Sequence, residues 1–160
     1  MGKKYYLAYG SNLNVEQMRY RCPDARVLGT ACINDYRLLF KGSKTGSYLT
    51  IEQEDGAKVP VAVWEVSEAD EQRLDIYEGT PDFYYKTEMP ITYTGIRTRK
   101  EKAVVAFVYI MHEHRPFGIP ASRYVDICSQ GYVTFGFDVK FLVEAYEVSK
   151  KEVEKHAKKK

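Results

Sequence analysis

The chain has 160 residues, of which 44% are hydrophobic and 29% charged, and its formal net charge is +2. This length and composition are typical of one globular domain that buries its own core. The last eleven residues, Lys150 to Lys160, contain six lysines and two glutamates, so residues 1–149 carry a net charge of −2. The body therefore lacks the basic surface of a nucleic-acid-binding protein, and we expect no nucleic-acid partner.

Other bulk features indicate where the protein works. No apolar run approaches the roughly 18 residues of a membrane span, and the N-terminus lacks the apolar core of a signal peptide. We therefore expect a cytoplasmic protein with no membrane partner. Cys22, Cys32 and Cys128 are odd in number and show no CxxC spacing, which favours buried or half-buried thiols over a disulfide framework.

Strand patterns dominate the chain and predict an α+β domain. Aromatic and β-branched runs bounded by Gly, Pro and Asp predict seven strands, at about 4–9, 26–32, 35–41, 47–52, 59–66, 85–94 and 102–111. Two glycine-containing segments, 42–46 and 55–56, are predicted hairpin turns. The nearly continuous apolar run 103–109 is typical of a strand covered on both faces. The high aromatic content, with 14 tyrosines, fits either strands with one wet face or a ligand-stacking role, and we favour the first interpretation.

Four helices are predicted from caps and apolar spacing. Asn14 followed by Gln17 indicates a capping box for a helix to about residue 21, before Pro23. Ser67 and Asp70 begin a second helix that Gly79 closes, and a third runs from residues 120–122 to Gly131. Asp138 caps the last helix, whose apolar stripe is predicted to pack on the core. That stripe consists of Val139, Leu142, Val143 and Tyr146. We expect residues 1–149 to form a single domain, and residues 150–160 to be a Lys-rich helix end or a frayed tail.

The most informative segment is Tyr9-Gly10-Ser11-Asn12-Leu13, directly after the apolar run at residues 5–8. It predicts a strand that stops at a glycine turn and leads into a helix near Asn14. Such a turn presents backbone N–H groups and the positive end of a helix dipole, which together suit a small anion.

A second informative segment is Leu74-Asp75-Ile76-Tyr77-Glu78-Gly79, which places a carboxylate at a predicted helix C-terminus. The negative end of the helix dipole disfavours the ionised form of Glu78. An apolar setting would raise its pKa further, toward the range where a carboxyl acts as base and then as acid.

Together, the two segments resemble those of the γ-glutamylcyclotransferase superfamily, including its AIG2-like members. The resemblance extends through Tyr109-Ile110-Met111 to Tyr124–Gly131 and covers most of residues 4–147. It implies a small mixed barrel-like sheet surrounded by helices. It also implies that Glu78 is catalytic, that Tyr9, Gly10, Ser11, Asn12, Leu13 and Asn14 form the substrate loop, and that Tyr109 hydrogen-bonds the substrate from a second wall.

The implied reaction is a cyclotransferase (lyase-type) step on a small γ-glutamyl substrate. The α-amine attacks the γ-carbonyl, 5-oxoproline is released, and the amine or amino acid leaves. Intramolecular attack has an entropic advantage, and one carboxylate can remove the first proton and return it to the leaving nitrogen. Backbone donors would stabilise the oxyanion or hold the α-carboxylate. No cofactor or metal is expected.

Several alternatives stay open. The substrate could be a γ-glutamylamine or γ-glutamyl-lysine, or the protein could be a catalytically silent ligand-binding homologue. Glutathione is less favoured, because that branch resembles a Tyr-Gly-Ser-Leu loop and this chain has Asn12 there. His112-Glu113-His114 provides two imidazoles without a third ligand, and we interpret it as an exposed strand end. The leaving group and the oligomeric state are not readable from the sequence.

Overall fold

A five-stranded barrel forms the centre of the protein. The computed structural model describes residues 3–43 and 45–158. Its strands are β1 (Lys4–Ala8), β2 (Arg26–Ser43), β3 (Gly46–Val66), β4 (Tyr84–Gly95) and β5 (Glu101–Met111). They close in the order β1-β3-β2-β4-β5, and every pair is antiparallel except β1 with β5. This architecture confirms the predicted α+β fold with a mixed barrel.

Four helices and one short turn surround the barrel. They are the 3₁₀ turn Ser11–Leu13, α1 (Val15–Arg21), α2 (Glu68–Tyr77), α3 (Ser122–Phe135) and α4 (Lys140–Lys158). No helix among the described residues is long and apolar enough to cross a membrane. The three cysteines are free, and Cys22 and Cys128 are buried as expected, whereas Cys32 is exposed.

The seven predicted strands merge into five because two of the predicted breaks do not end a strand. The segment 42–46 does form the β2–β3 hairpin, with Ser43 paired to Gly46. The predicted turn at residues 55–56 is wrong, since these residues lie within β3. There, the Gly56 N–H donates to Asp35 Oδ1 at 3.0 Å across the ribbon, and both residues have positive φ. They form a bulge, after which the antiparallel pairing resumes.

Burial along β5 changes halfway through the strand. Residues 106–111 are buried, whereas Val105 is 59% exposed. The prediction of a strand covered on both faces therefore holds only for the second half. Because β1 and β5 run parallel, with Tyr6 opposite Phe107, their C-terminal ends meet at the same end of the barrel. The segment after β1 and the last residues of β5 are thus brought together.

Local capping signals place the first two helices correctly. Asn14 caps α1 by accepting from the Gln17 N–H at 3.3 Å. The Gln17 side chain does not complete the capping box, because its Oε1 accepts from Arg21 instead. Ser67 caps α2 by accepting from the Asp70 N–H at 3.1 Å.

The predicted end of α3 at Gly131 is wrong. The helix continues to Phe135 and is closed by Gly136, which has φ of +71°. Gly131 has a different role. A Cβ at this position would lie 2.5 Å from Leu13 Cβ and 2.6 Å from the Leu13 carbonyl carbon. The glycine lets α3 pack directly on the 3₁₀ turn that follows β1.

The apolar stripe predicted on α4 is only partly buried. Leu142 and Ala145 pack on the core, whereas Val139, Val143 and Tyr146 remain exposed. The buried face also includes Ser149, whose hydroxyl donates to the Phe40 carbonyl at 2.9 Å and accepts from the Phe40 N–H at 3.0 Å. This face therefore ends in a polar contact with β2.

Candidate active site

A half-open cavity lies where the C-terminal ends of β1 and β5 meet. Its volume is about 230 Å³, slightly below the roughly 300–1,000 Å³ of pockets for drug-sized ligands. This size suits a ligand built around one amino acid. The lining is aromatic and hydroxyl-rich and contains one carboxylate: Tyr6, Tyr9, Gly10, Ser11, Asn12, Tyr48, Leu49, Tyr77, Glu78, Phe83, Tyr84, Tyr109 and Tyr124.

The loop after β1 forms one side of the cavity. The 3₁₀ turn is closed by hydrogen bonds from the Leu13 N–H to the Gly10 carbonyl and from the Asn14 N–H to the Ser11 carbonyl, both 3.0 Å long. The Ser11 and Asn12 N–H groups make no backbone hydrogen bond within the described residues. As the first donors of the turn, they are available to a ligand.

Gly10 is needed for clearance. Its φ of −125° is accessible to other residues, so a left-handed conformation is not the reason for glycine here. A Cβ would instead lie 3.3 Å from the Tyr124 hydroxyl and 3.5 Å from Leu49 Cβ. A branched side chain would displace these neighbours and narrow the cavity.

Glu78 reaches the cavity through the C-terminus of α2. The Thr80 N–H donates to the Asp75 carbonyl at 3.0 Å, and the Gly79 N–H donates to the Ile76 carbonyl at 3.1 Å. With Gly79 at φ of +65°, these two bonds form a Schellman motif. The motif fixes the chain direction at the residue before the glycine, and so directs Glu78 toward the barrel end.

The Glu78 carboxyl is electrostatically suited to proton transfer. Burial raises its pKa from the ordinary 4.5 to about 7, and the positive charge of Arg21 acts in the opposite direction. The carboxyl has no hydrogen-bond partner within the described part of the chain. An acid with a pKa near neutrality and free oxygens can accept a proton and return it.

Tyr109 lines the cavity together with Glu78, and its hydroxyl is hydrogen-bonded to a pair of charged side chains, Asp75 and Lys86, through Asp75. Its hydroxyl donates to Asp75 Oδ1 at 2.6 Å. Lys86 donates to both oxygens of the same carboxylate, at 3.0 and 3.1 Å, and to Glu71 at 2.6 Å. Burial and the bond to Asp75 raise the pKa of Tyr109, so it stays protonated. Asp75 therefore contacts Tyr109 and Lys86.

Residues 6–126 match the protein family described as gamma-glutamyl cyclotransferase, AIG2-like. The chain belongs to this family. It is 29% identical over 145 residues to the gamma-glutamylcyclotransferase of Homo sapiens, which covers 85% of this chain and 73% of the human protein. The Bos taurus gamma-glutamylcyclotransferase is 29% identical over 143 residues, with the same coverage. A solved structure of a gamma-glutamyl cyclotransferase superposes with a TM-score of 0.74 and 26% identity over 89% of this chain and 86% of its own.

This member of the cyclotransferase family brings most of its predicted site residues to one cavity. Glu78 and Tyr109 line it together with Tyr9, Gly10, Ser11 and Asn12. Leu13 and Asn14 do not. Leu13 is fully buried against α3, and the Asn14 amide donates to the Ile127 carbonyl and to Gln130.

Seven of the cavity residues were not among the predicted site residues: Tyr6, Tyr48, Leu49, Tyr77, Phe83, Tyr84 and Tyr124. The high tyrosine content was the available signal. Seven of the 14 tyrosines line the cavity, so their interpretation as strand-surface residues was incomplete. Several come from elements far apart in sequence, which is why spacing along the chain did not group them.

The histidine pair lies outside the cavity of this family member. His112 Nε2 donates to the Pro81 carbonyl at 2.6 Å, and Glu113 accepts from the Tyr85 hydroxyl at 2.5 Å. Among residues 3–43 and 45–158, no group of three or more His, Cys, Asp or Glu side chains is arranged to hold a metal ion. The segment 112–114 thus makes local contacts beyond the end of β5.

Proposed function

We propose that the protein cyclises a small γ-glutamyl compound to 5-oxoproline in this cavity, with Glu78 as general base and then general acid. The single observation that carries the proposal is the Glu78 carboxyl, which is half-buried on the cavity wall, has free oxygens and has a pKa raised to about 7. Family membership supports the reaction type.

The first step forms the ring. Glu78 takes a proton from the substrate α-ammonium, and the freed amine attacks the γ-carbonyl carbon to form a new carbon–nitrogen bond. The substrate is folded on itself in a small cavity, so reacting atoms are already close and the entropic cost of attack is reduced. The carbonyl electron pair moves to oxygen, which becomes an oxyanion.

The second step releases the products. The leaving nitrogen takes the proton held by Glu78, the oxyanion reforms the carbonyl, and the bond from the γ-carbon to that nitrogen breaks. Glu78 then takes the remaining extra proton from the ring nitrogen, which gives the neutral lactam, and passes it to the departing amine, which leaves as an ammonium. The available N–H groups of Ser11 and Asn12 are suited to bind an oxygen of the substrate, either the α-carboxylate or the oxyanion. Each proton removed is returned, so the residues need no co-reactant.

Ser11 is not suited to act as a nucleophile. Its hydroxyl lies 3.4 Å from the Tyr77 hydroxyl, and none of the histidines that the structure describes lines the cavity. A serine nucleophile needs an adjacent base that withdraws its proton. The lining favours direct attack by the substrate's own amine.

A substrate panel tests the proposal. The panel consists of γ-glutamyl amino acids, glutathione, γ-glutamyl-ε-lysine and γ-glutamylamines, with 5-oxoproline release measured by chromatography. We expect turnover of at least one member, and the same rate after exhaustive treatment with EDTA. Binding of these compounds without any 5-oxoproline would indicate a catalytically silent protein and refute the proposal. Loss of activity on chelation, with recovery on addition of zinc, would refute a mechanism based on Glu78 alone.

A further inference from the structure

Tyr6 lines the cavity, and its ring packs against two neighbouring aromatic side chains. It lies on β1 between Trp64 of β3 and Phe107 of β5 and is only 4% exposed. Its ring stacks on Phe107 with centroids 5.3 Å apart and contacts the edge of Tyr109 at 5.8 Å. Such packing leaves the ring one position, so the direction of the hydroxyl is fixed.

A chain of hydrogen bonds determines which partner the Tyr6 oxygen has. The Arg21 guanidinium donates to Asn12 Oδ1, and Asn12 Nδ2 donates to the Tyr6 oxygen at 2.8 Å. Because a guanidinium can only donate, it fixes the amide of Asn12 with its oxygen toward Arg21 and its NH₂ group toward Tyr6. Arg21 is itself held by Gln17 at 3.0 Å and lies over the Tyr77 ring at 3.5 Å.

The consequence is that the Tyr6 proton remains available to a ligand. Three other cavity tyrosines donate their protons to the protein: Tyr9 to the Tyr109 carbonyl at 2.6 Å, Tyr84 to the Leu49 carbonyl at 2.7 Å, and Tyr109 to Asp75 at 2.6 Å. Tyr6 accepts from Asn12 and donates to no acceptor among the described residues.

Tyr6 also stays protonated and lies within the electrostatic reach of Glu78. Burial, and then the charge of Glu78, raise the pKa of the Tyr6 hydroxyl well above its ordinary value, while the hydrogen bond from Asn12 acts in the opposite direction. In the tetrahedral intermediate, both nitrogens that exchange protons with Glu78 are bonded to the γ-carbon. The oxyanion is bonded to the same carbon, so a donor that lines the same small cavity as Glu78 is suitably placed for it.

We propose that Tyr6 is a further catalytic residue, which donates a hydrogen bond to the γ-carbonyl oxygen as it becomes the oxyanion. Asn12 and Arg21 are positioning residues that leave the Tyr6 proton free for the cavity. This inference rests on the proposed function. Asn12, the asparagine of the Tyr-Gly-Ser-Asn segment, then has two roles. Its side chain orients the Tyr6 hydroxyl, and its backbone N–H is available to the substrate.

The first test is Tyr6→Phe, measured with γ-glutamyl-L-alanine or the panel member that the wild type turns over fastest. Loss of one oxyanion donor should lower kcat by about 10²–10³-fold and leave KM within a few-fold. Tyr132→Phe is the matched control, because Tyr132 is fully buried outside the cavity and its hydroxyl has no partner in the described structure. It should keep wild-type kcat and KM.

The second test is Asn12→Asp in wild-type and Tyr6→Phe backgrounds. A carboxylate accepts from Arg21 as the amide does, but it also accepts the Tyr6 proton and so withdraws it from the cavity. We expect kcat to fall at least tenfold with Tyr6 present and to change less than threefold when Phe replaces it. Such non-additivity separates positioning from a general structural effect. Thermal melting of each variant checks folding.

The outcomes distinguish this inference from the proposed function. Wild-type kcat in Tyr6→Phe, a rise in KM alone, or equal effects of Asn12→Asp in both backgrounds would overturn the role of Tyr6 and leave the cyclisation intact. A wild-type protein that releases no 5-oxoproline from any panel member would overturn both.

Discussion

Close packing of α3 on the loop after β1 gives a prediction that links stability to activity. In Gly131→Ala, the new Cβ would lie 2.5 Å from Leu13 Cβ, 2.6 Å from its carbonyl carbon and 2.8 Å from its carbonyl oxygen. Two of these three atoms belong to the backbone, so rotation of a side chain cannot relieve the contact. The helix and the 3₁₀ turn must separate by about 1 Å to restore ordinary carbon–carbon distances of roughly 3.5 Å.

The expected magnitude follows from two opposing effects. Overpacking costs about 1–3 kcal/mol, and alanine in place of glycine within a helix recovers about 1 kcal/mol. The net loss is up to about 2 kcal/mol, which lowers Tm by roughly 4–8 °C for a domain of this size. Because the 3₁₀ turn lines the same cavity as Glu78, a displacement of about 1 Å should lower kcat/KM by about 100-fold.

Thermal melting and 5-oxoproline release measure the two effects on the same variant. Gly136→Ala is the control, because Gly136 also lies at α3 but its Cβ would meet nothing within 4 Å. Its φ of +71° makes alanine cost about 1 kcal/mol, with kcat/KM unchanged. If Gly131→Ala kept wild-type Tm and kcat/KM, the claim that α3 holds the substrate loop would be refuted.

Two further predictions concern pH and the C-terminal helix. In the wild type, kcat/KM should rise about tenfold per pH unit up to a pKa of about 7, because Glu78 must be ionised to accept the first proton. A pH–rate profile whose acid limb has its midpoint near pH 4.5 would contradict this prediction. Deletion of residues 151–160 should change the free energy of unfolding by less than about 1 kcal/mol and leave kcat/KM intact, because Ser149 is the last fully buried residue of α4. Denaturant unfolding and turnover assays check it, and a selective loss of turnover would place the tail in the site.

Local interactions explain which parts of the fold the sequence predicts well. Asn14, Ser67 and Gly79 act on backbone groups within a few residues, and each was predicted in the role the structure shows. Gly131 has the same chemistry as a helix-ending glycine, but contact with Leu13 decides its role. Asp35 lies across the ribbon from residues 55–56, so the bulge there was not readable from those residues alone.

The candidate site likewise has a part that the sequence predicts and a part that depends on contacts between distant elements. The loop after β1 and the end of α2 are continuous segments, and the resemblance to a known family identified both. Tyr6, Tyr84 and Tyr124 reach the cavity from β1, β4 and α3, and only the closed barrel brings them together. The donor direction of Tyr6 depends on Arg21 through Asn12, a contact that strand periodicity does not predict.

Glu78→Gln measures the central claim, that Glu78 carries the protons, most directly. The variant should lose about 10²–10⁴-fold in kcat for 5-oxoproline release, because an amide cannot accept the proton. The stability of the Glu78→Gln variant provides an internal control for folding. The pKa of Glu78 in the folded protein, about 7, lies above its ordinary 4.5, so its stabilising contribution is complete below pH 4.5 and is lost as the pH rises through 7.

Glutamine does not ionise, so the variant does not lose this stability as the pH rises. Between pH 4 and pH 8, Glu78→Gln should therefore gain stability relative to the wild type, by up to roughly 3 kcal/mol. A variant that melts no lower than the wild type at pH 8, yet has lost at least 100-fold in kcat, is the result that the account predicts. Turnover within a few-fold of the wild type, from an equally well-folded protein, would remove Glu78 from the mechanism and contradict it.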